Sequence, residues 1–106
     1  MNAHPVRGQI YRADTGFGLK PWLVVSNNQR NRALSSVLAV RLTTTTKRID
    51  LPTWVPLSSA DPLVGFINVD DLQQLERDEL SELVGSLAPN TILAVNNALR
   101  LALALP

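Results

Sequence analysis

The sequence predicts a mostly β or α+β fold, a small antiparallel sheet or barrel followed by one helix, and three observations carry that prediction. Short runs of branched and aromatic residues recur through the first two thirds of the chain, each bounded by turn or polar residues. From Pro89 onward the apolar residues instead recur at three- and four-residue spacing. Strands first and a helix last is the pattern of an α+β or mostly-β domain. At 106 residues with 45% hydrophobic content, the chain suits one domain over residues 1–106, with residues 1–6 expected as a loose tail. A domain of this size buries only a moderate share of its surface, so a homodimer is expected to add burial.

The elements follow in order. GQIYRAD opens with a strand around Ile10 and Ala13, and TGFG supplies the turn. In GLKPWLVVSNN the second strand starts at Lys20 or Pro21, because a proline at the first position gives up the least costly N–H. Asn27 and Asn28 end it, and NNQRNRALSS reads as a polar connection. VLAVRLT is the third strand; Val40 and Leu42 alternate with Arg41 and Thr43, so the latter two share a face. TTTTKRID is a polar, basic loop, and PTWVPL is a short strand whose prolines assign it to an edge. After the SSADPL turn, VGFINVDDLQQL forms the last long strand or strand pair. Leu80 and Leu83 in ERDELSEL have helical spacing, with a short return strand expected over Val84 to Leu87. Pro89 then suits the first turn of a terminal helix carrying Ile92, Val95, Asn96, Leu99, Ala102 and Leu103.

The net charge of +1 hides an asymmetry. Residues 1–48 hold Arg7, Arg12, Lys20, Arg30, Arg32, Arg41, Lys47 and Arg48 against Asp14 alone, whereas residues 49–106 hold eight carboxylates against Arg77 and Arg100. A basic half of this kind suits a polyanion, unless folding intermixes the two halves.

Many chemistries are excluded. Without cysteine there is no disulfide or thiolate metal site, and His4 alone cannot build a triad or a histidine cluster. Glycine-rich phosphate loops are missing as well. Asp70 and Asp71 are adjacent, so on a strand they face opposite ways and form no carboxylate pair. Asp61, Asp70 and Asp71 lack metal-site spacing, and neither metal nor cofactor is expected. MNAHPVRG has no apolar signal core, and Ala98 to Leu105 is short and broken by Arg100, so a soluble, cytoplasmic protein away from membranes is expected.

What remains is a set of cations and hydroxyls at strand ends. The order RGQIYRAD, GLKPWLVVSNN, VLAVRLTTTTK, PTWVPL, INVDDLQQL and terminal helix resembles the MazF (Kid, PemK) toxin family across almost the whole chain. The resemblance implies an SH3-like barrel acting as a homodimer, a type II toxin that is a ribosome-independent or ribosome-assisted endoribonuclease. The family's catalytic arginine falls on Lys20 and its catalytic threonine on Thr43, while Asp70 and Asp71 fall near its recognition positions. Lysine thus stands where arginine is usual, supplying charge without the flat bidentate fork. A MazE-like antitoxin is implied whose acidic tail occupies the RNA groove.

RNA cleaves itself when a 2′ hydroxyl attacks the adjacent phosphorus, so a protein needs chiefly to stabilise charge and manage two protons. Lys20 and Arg41 suit the non-bridging oxygens, and Thr43 a hydrogen bond to one of them. Tyr11 and Trp22 offer faces for unpaired bases, although a strand tryptophan is commonly core. Asn27, Asn28, Arg30, Arg32, Thr44, Lys47 and Arg48 complete the expected RNA surface, with Asp70 and Asp71 reading bases. The similar CcdB fold offers a second reading, a gyrase poison that binds without cutting, but the C-terminal end LALALP lacks that group's tryptophan.

Overall fold

A computed structural model describes residues 4–106. The elements are β1 (Gln9–Asp14), β2 (Leu19–Val24), α1 (Asn28–Ala33), β3 (Ser36–Thr43), β4 (Trp54–Pro56), β5 (Phe66–Glu76), a 3₁₀ turn at Arg77–Glu79, β6 (Leu80–Ser86) and α2 (Pro89–Leu103). All pairings are antiparallel, in a six-stranded sheet ordered β4-β5-β3-β2-β1-β6. This is the expected antiparallel architecture with a terminal helix, and PTWVPL does take an edge.

Alternation along the central strands builds two cores. Leu23, Val40 and Leu42 point to the side where Ile67 and Val69 of β5 meet Val95 and Ala98 of α2. Their neighbours Trp22, Val24, Val37 and Ala39 point to the other side and pack with Ala13 and Leu75. Burial on both faces explains why β2 and β3 read as nearly unbroken apolar runs. Each such side chain contributes about 1.5 to 3 kcal/mol on burial, against at most about 1 kcal/mol for an exposed ion pair. The cores therefore dictate the fold, and the charges are placed by it.

Two segments depart from the sequence expectation. NNQRNRALSS is not merely a connection but holds α1, at six residues too short for a helical period to register. Its stability is local. The Asn27 side chain accepts from the Gln29 and Arg30 N–H groups. Fully buried Asn31 exchanges hydrogen bonds with Ser26, whose Oγ also accepts from Leu38 N–H at 3.0 Å. At the far end Arg77 Nη2 donates to the carbonyls of Asn31 and Leu34.

The second departure is ERDELSEL, which is a 3₁₀ turn and a strand rather than a helix. β6 pairs with β1 as Ile10↔Gly85, Tyr11↔Leu83, Arg12↔Glu82 and Ala13↔Leu80, so Val84 and Ser81 are each extra residues in bulges. Bulges three residues apart reset the alternation, and an apolar spacing of three that mimics a helix is accommodated by a twisted edge strand. A larger irregularity interrupts β5: Val40 faces Leu72 while Arg41 faces Asn68, leaving Val69, Asp70 and Asp71 out of register.

Of the tail expected over residues 1–6, the first three lie outside the described residues; Pro5 is buried and Val6 N–H donates to Gln9 Oε1 at 2.8 Å. No helix of the described residues is long and apolar enough to cross a membrane.

Asp61 ties the β4–β5 loop to α2. Its carboxylate accepts from Ser58 N–H and Oγ–H at 2.7 and 2.8 Å, from Ala88 N–H at 2.8 Å and from Thr91 Oγ–H at 2.7 Å. Ala88 is the N-cap of α2 and offers no side-chain acceptor, so Asp61 caps the helix from a distance. Desolvation raises its pKa, but the hydrogen bonds from Ala88, Ser58 and Thr91 outweigh this and leave it below the ordinary value of 3.8. The folded form therefore favours the carboxylate. Asp61→Ala is expected to lower stability by about 1 to 2 kcal/mol in urea unfolding at neutral pH. Because the folded pKa is depressed, the stabilisation is present above 3.8 and lost as pH falls through the lower folded value. A deficit that stays constant down to acid pH would contradict this role.

Candidate active site

The β2–β3 ladder pairs Trp22↔Arg41, Leu23↔Val40 and Val24↔Ala39, and the same register carried two residues further sets Lys20 across from Thr43. At this end of the sheet a cleft of about 390 Å³ is lined by Lys20 at the start of β2, Arg41 and Thr43 at the end of β3, Thr44 beyond it, and Arg12 of β1. Leu19 on one side and Leu63 and Val64 on the other give it apolar walls. Lys20 is exposed, whereas Arg41 and Thr43 are half-buried.

Arg41 Nε lies 3.2 Å from Asp71 Oδ2, but without the geometry of a linear hydrogen bond. Gln73 Nε2 donates to the other Asp71 oxygen at 2.8 Å. Asp70 turns the other way and accepts from Thr53 Oγ–H at 2.6 Å. The opposite facing expected of the adjacent acids is thus realised in the β5 irregularity, which aims one of them at the cleft arginine. Thr43 Oγ1 accepts from Thr45 N–H at 3.2 Å, which fixes the side chain while its hydroxyl proton stays available to donate.

Glycine at 65 protects this arrangement. Its φ is +119°, and a Cβ there would meet the Thr43 carbonyl oxygen at 2.4 Å. Backbone strain and direct collision both exclude a side chain.

The other expected residues lie elsewhere. Asn27 caps α1, Asn28 Oδ1 accepts from Arg7 N–H at 2.7 Å, and Arg30 donates to Ser36 O at 3.0 Å. Arg32 is exposed beside His4, Pro5 and Asn28 in a separate hollow. Lys47 and Arg48 are exposed in the loop after β3, with Arg48 Nε 3.5 Å from Asp50. Tyr11 is half-buried and its hydroxyl donates to Gln9 Oε1 at 3.1 Å; burial raises its pKa, so the phenol stays neutral near pH 7.

Trp22 is corrected outright: 1% exposed and packed in the second core, it offers no face to a base. The residue that sequence reasoning missed is Arg12. Its charge was visible, but its place in the cleft depends on the β1–β2 pairing, which sets Arg12 opposite Pro21.

The antiparallel sheet with its terminal helix thus carries a cationic cleft at its strand ends. The chain belongs to the PemK-like, MazF-like toxin family of type II toxin–antitoxin systems, whose model matches residues 6–103. It is 53% identical over 106 residues to endoribonuclease MazF1 of Mycobacterium bovis, covering 100% of this chain and 98% of that protein. The same figures hold for endoribonuclease MazF4 of Mycobacterium tuberculosis. A solved endoribonuclease in complex with its cognate antitoxin, from a mycobacterial species, superposes with a TM-score of 0.92 at 51% identity, covering 96% of this chain and 97% of that one. With this family the chain is a toxin endoribonuclease, and the gyrase-poison reading is not favoured.

Trp22 gives a direct test of core against contact. Trp22→Ala is expected to cost about 3 to 5 kcal/mol in denaturant unfolding. Trp22→Phe should cost less than Trp22→Ala, because the remaining ring fills part of the buried site. A Trp22→Ala variant as stable as the unaltered protein would return Trp22 to the surface.

Proposed function

We propose that the chain cleaves single-stranded RNA at selected sequences without a metal ion, leaving a 2′,3′-cyclic phosphate and a 5′ hydroxyl. The observation that carries this reading is the meeting of Lys20, Arg41 and Thr43 in one cleft. The nucleophile belongs to the substrate: the 2′ oxygen bonds to phosphorus as its proton passes to solvent, and the bond from phosphorus to the 5′ oxygen breaks as that oxygen gains a proton. Lys20, the exposed ammonium, is the acid for the leaving oxygen, Arg41 faces the non-bridging oxygens, and Thr43 donates a hydrogen bond to one of them. Cations held in a partly desolvated cleft oppose the charge that builds on the phosphorane more strongly than water does.

The functional form in this reading is a cytoplasmic homodimer. An antitoxin regulates it by laying an acidic tail along the RNA groove, and its carboxylates compete with phosphates for the same cations.

The test is incubation of the purified protein with a long mixed-sequence RNA in excess EDTA, with chemical mapping of the new ends. Discrete cuts carrying cyclic phosphate are expected, and Lys20→Ala and Thr43→Ala should each slow them by about 10²- to 10³-fold. Intact RNA, or cutting that returns only on adding a divalent ion, would overturn the reading.

A further inference from the structure

We propose that Arg12 is a second phosphate-binding residue of the RNA site, holding a phosphate beside the scissile one, and that Glu82 is its resting counter-ion. The proposal rests on the RNA reading above and assigns a function to a residue outside the Lys20, Arg41 and Thr43 set.

The arginines sort themselves by what they touch. Arg7 donates to Val25 O and Asn96 Oδ1, Arg30 to Ser36, Arg77 to two carbonyls and Arg100 to Asn97 Oδ1. Those guanidinium groups serve the fold or the surface of α2. The two arginines of the cleft are held instead by one carboxylate each: Arg41 by Asp71 at 3.2 Å, and Arg12 by Glu82 at 3.3 Å, both through Nε. Among the described residues no hydrogen bond engages the terminal Nη groups of Arg12, so the fork that recognises phosphate is unspent.

The backbone around Arg12 is arranged for this. The β1–β6 ladder slips on both sides of the Tyr11 and Arg12 pairs, and the extra residue Ser81 returns a hydrogen bond from its Oγ to Arg12 O at 3.1 Å. Bulges re-aim side chains, and here they set Arg12 directly opposite Glu82 and leave its side chain 36% exposed toward the cleft. Arg12 lies opposite Pro21 on the β1–β2 ladder, on the sheet face alternate to that of Lys20, Arg41 and Thr43, and the cleft at the strand ends is lined from both faces. Three cations that line one cleft from its two sides suit consecutive phosphates of one strand better than a single phosphate. The Arg12–Glu82 pair is exposed enough to contribute little to stability, so a phosphate can displace the carboxylate at small cost.

The experiment measures binding of an RNA oligonucleotide made uncleavable by a 2′-deoxy sugar at the cut position, across a series of sodium chloride concentrations. Arg12→Ala should weaken binding about tenfold and flatten the slope of log affinity against log salt by about 0.7, one phosphate contact on a single strand. Arg12→Lys should retain the slope while losing part of the affinity. Glu82→Gln should bind about threefold tighter, and the surface control Arg100→Ala should behave as wild type. An Arg12→Ala variant with wild-type slope and affinity would overturn the proposal; so would a Glu82→Gln variant as weak as Arg12→Ala, since the pair would then serve β1–β6 packing. Cutting of the all-ribose RNA decides the nuclease reading separately, because the slope is read without any cleavage.

Discussion

The site depends on the pairing of β2 with β3. That pairing is fixed by burial on both faces: Trp22 and Val24 enter one core while Leu23 enters the other, and Val37 and Ala39 are set against Val40 and Leu42 in the same way. A slip of one residue would exchange these sets and place Arg41 where an aliphatic side chain packs. Hydrophobic alternation, several kilocalories deep, thereby fixes the position of polar groups whose own interactions are worth far less. Lys20 and Thr43 come together because each sits where its apolar run stops.

Irregular backbone refines what the regular ladder places. The out-of-register residues of β5 bring Asp71 to Arg41, and the bulges of β6 bring Glu82 to Arg12. The basic and acidic halves of the sequence are therefore intermixed in space, with cleft arginines from the first half braced by carboxylates from the second. This settles the ambiguity in the charge asymmetry: intermixing does occur, yet it leaves Arg12, Lys20 and Arg41 together in one cleft at the strand ends.

Much of the fold was legible in the sequence because its signals are local. Runs such as PWLVV and VLAVRL, the prolines flanking Trp54, and the spacing from Ile92 to Leu103 each report their element directly. The family resemblance likewise brought Lys20 and Thr43 forward, and the structure brings both into one cleft. What the sequence hid is non-local or cooperative. α1 needs a buried asparagine and a cap contributed by Asn27. β6 conceals its strand character because two bulges imitate helical spacing. Trp22 drew attention as an aromatic near a cation, and only the packing of the second core reveals it as interior. Arg12 was one cation among eight until its strand partners were known.

Gly65 carries a consequence for how this gene varies. Every missense change in its codon adds a Cβ, and that atom would fall on the carbonyl of Thr43 while the backbone is held at a φ only glycine adopts readily. The loop and the threonine cannot both keep their places. Heritable silencing of the toxin thus has a ready target in a residue with no side chain of its own, well separated in sequence from the chemistry it guards.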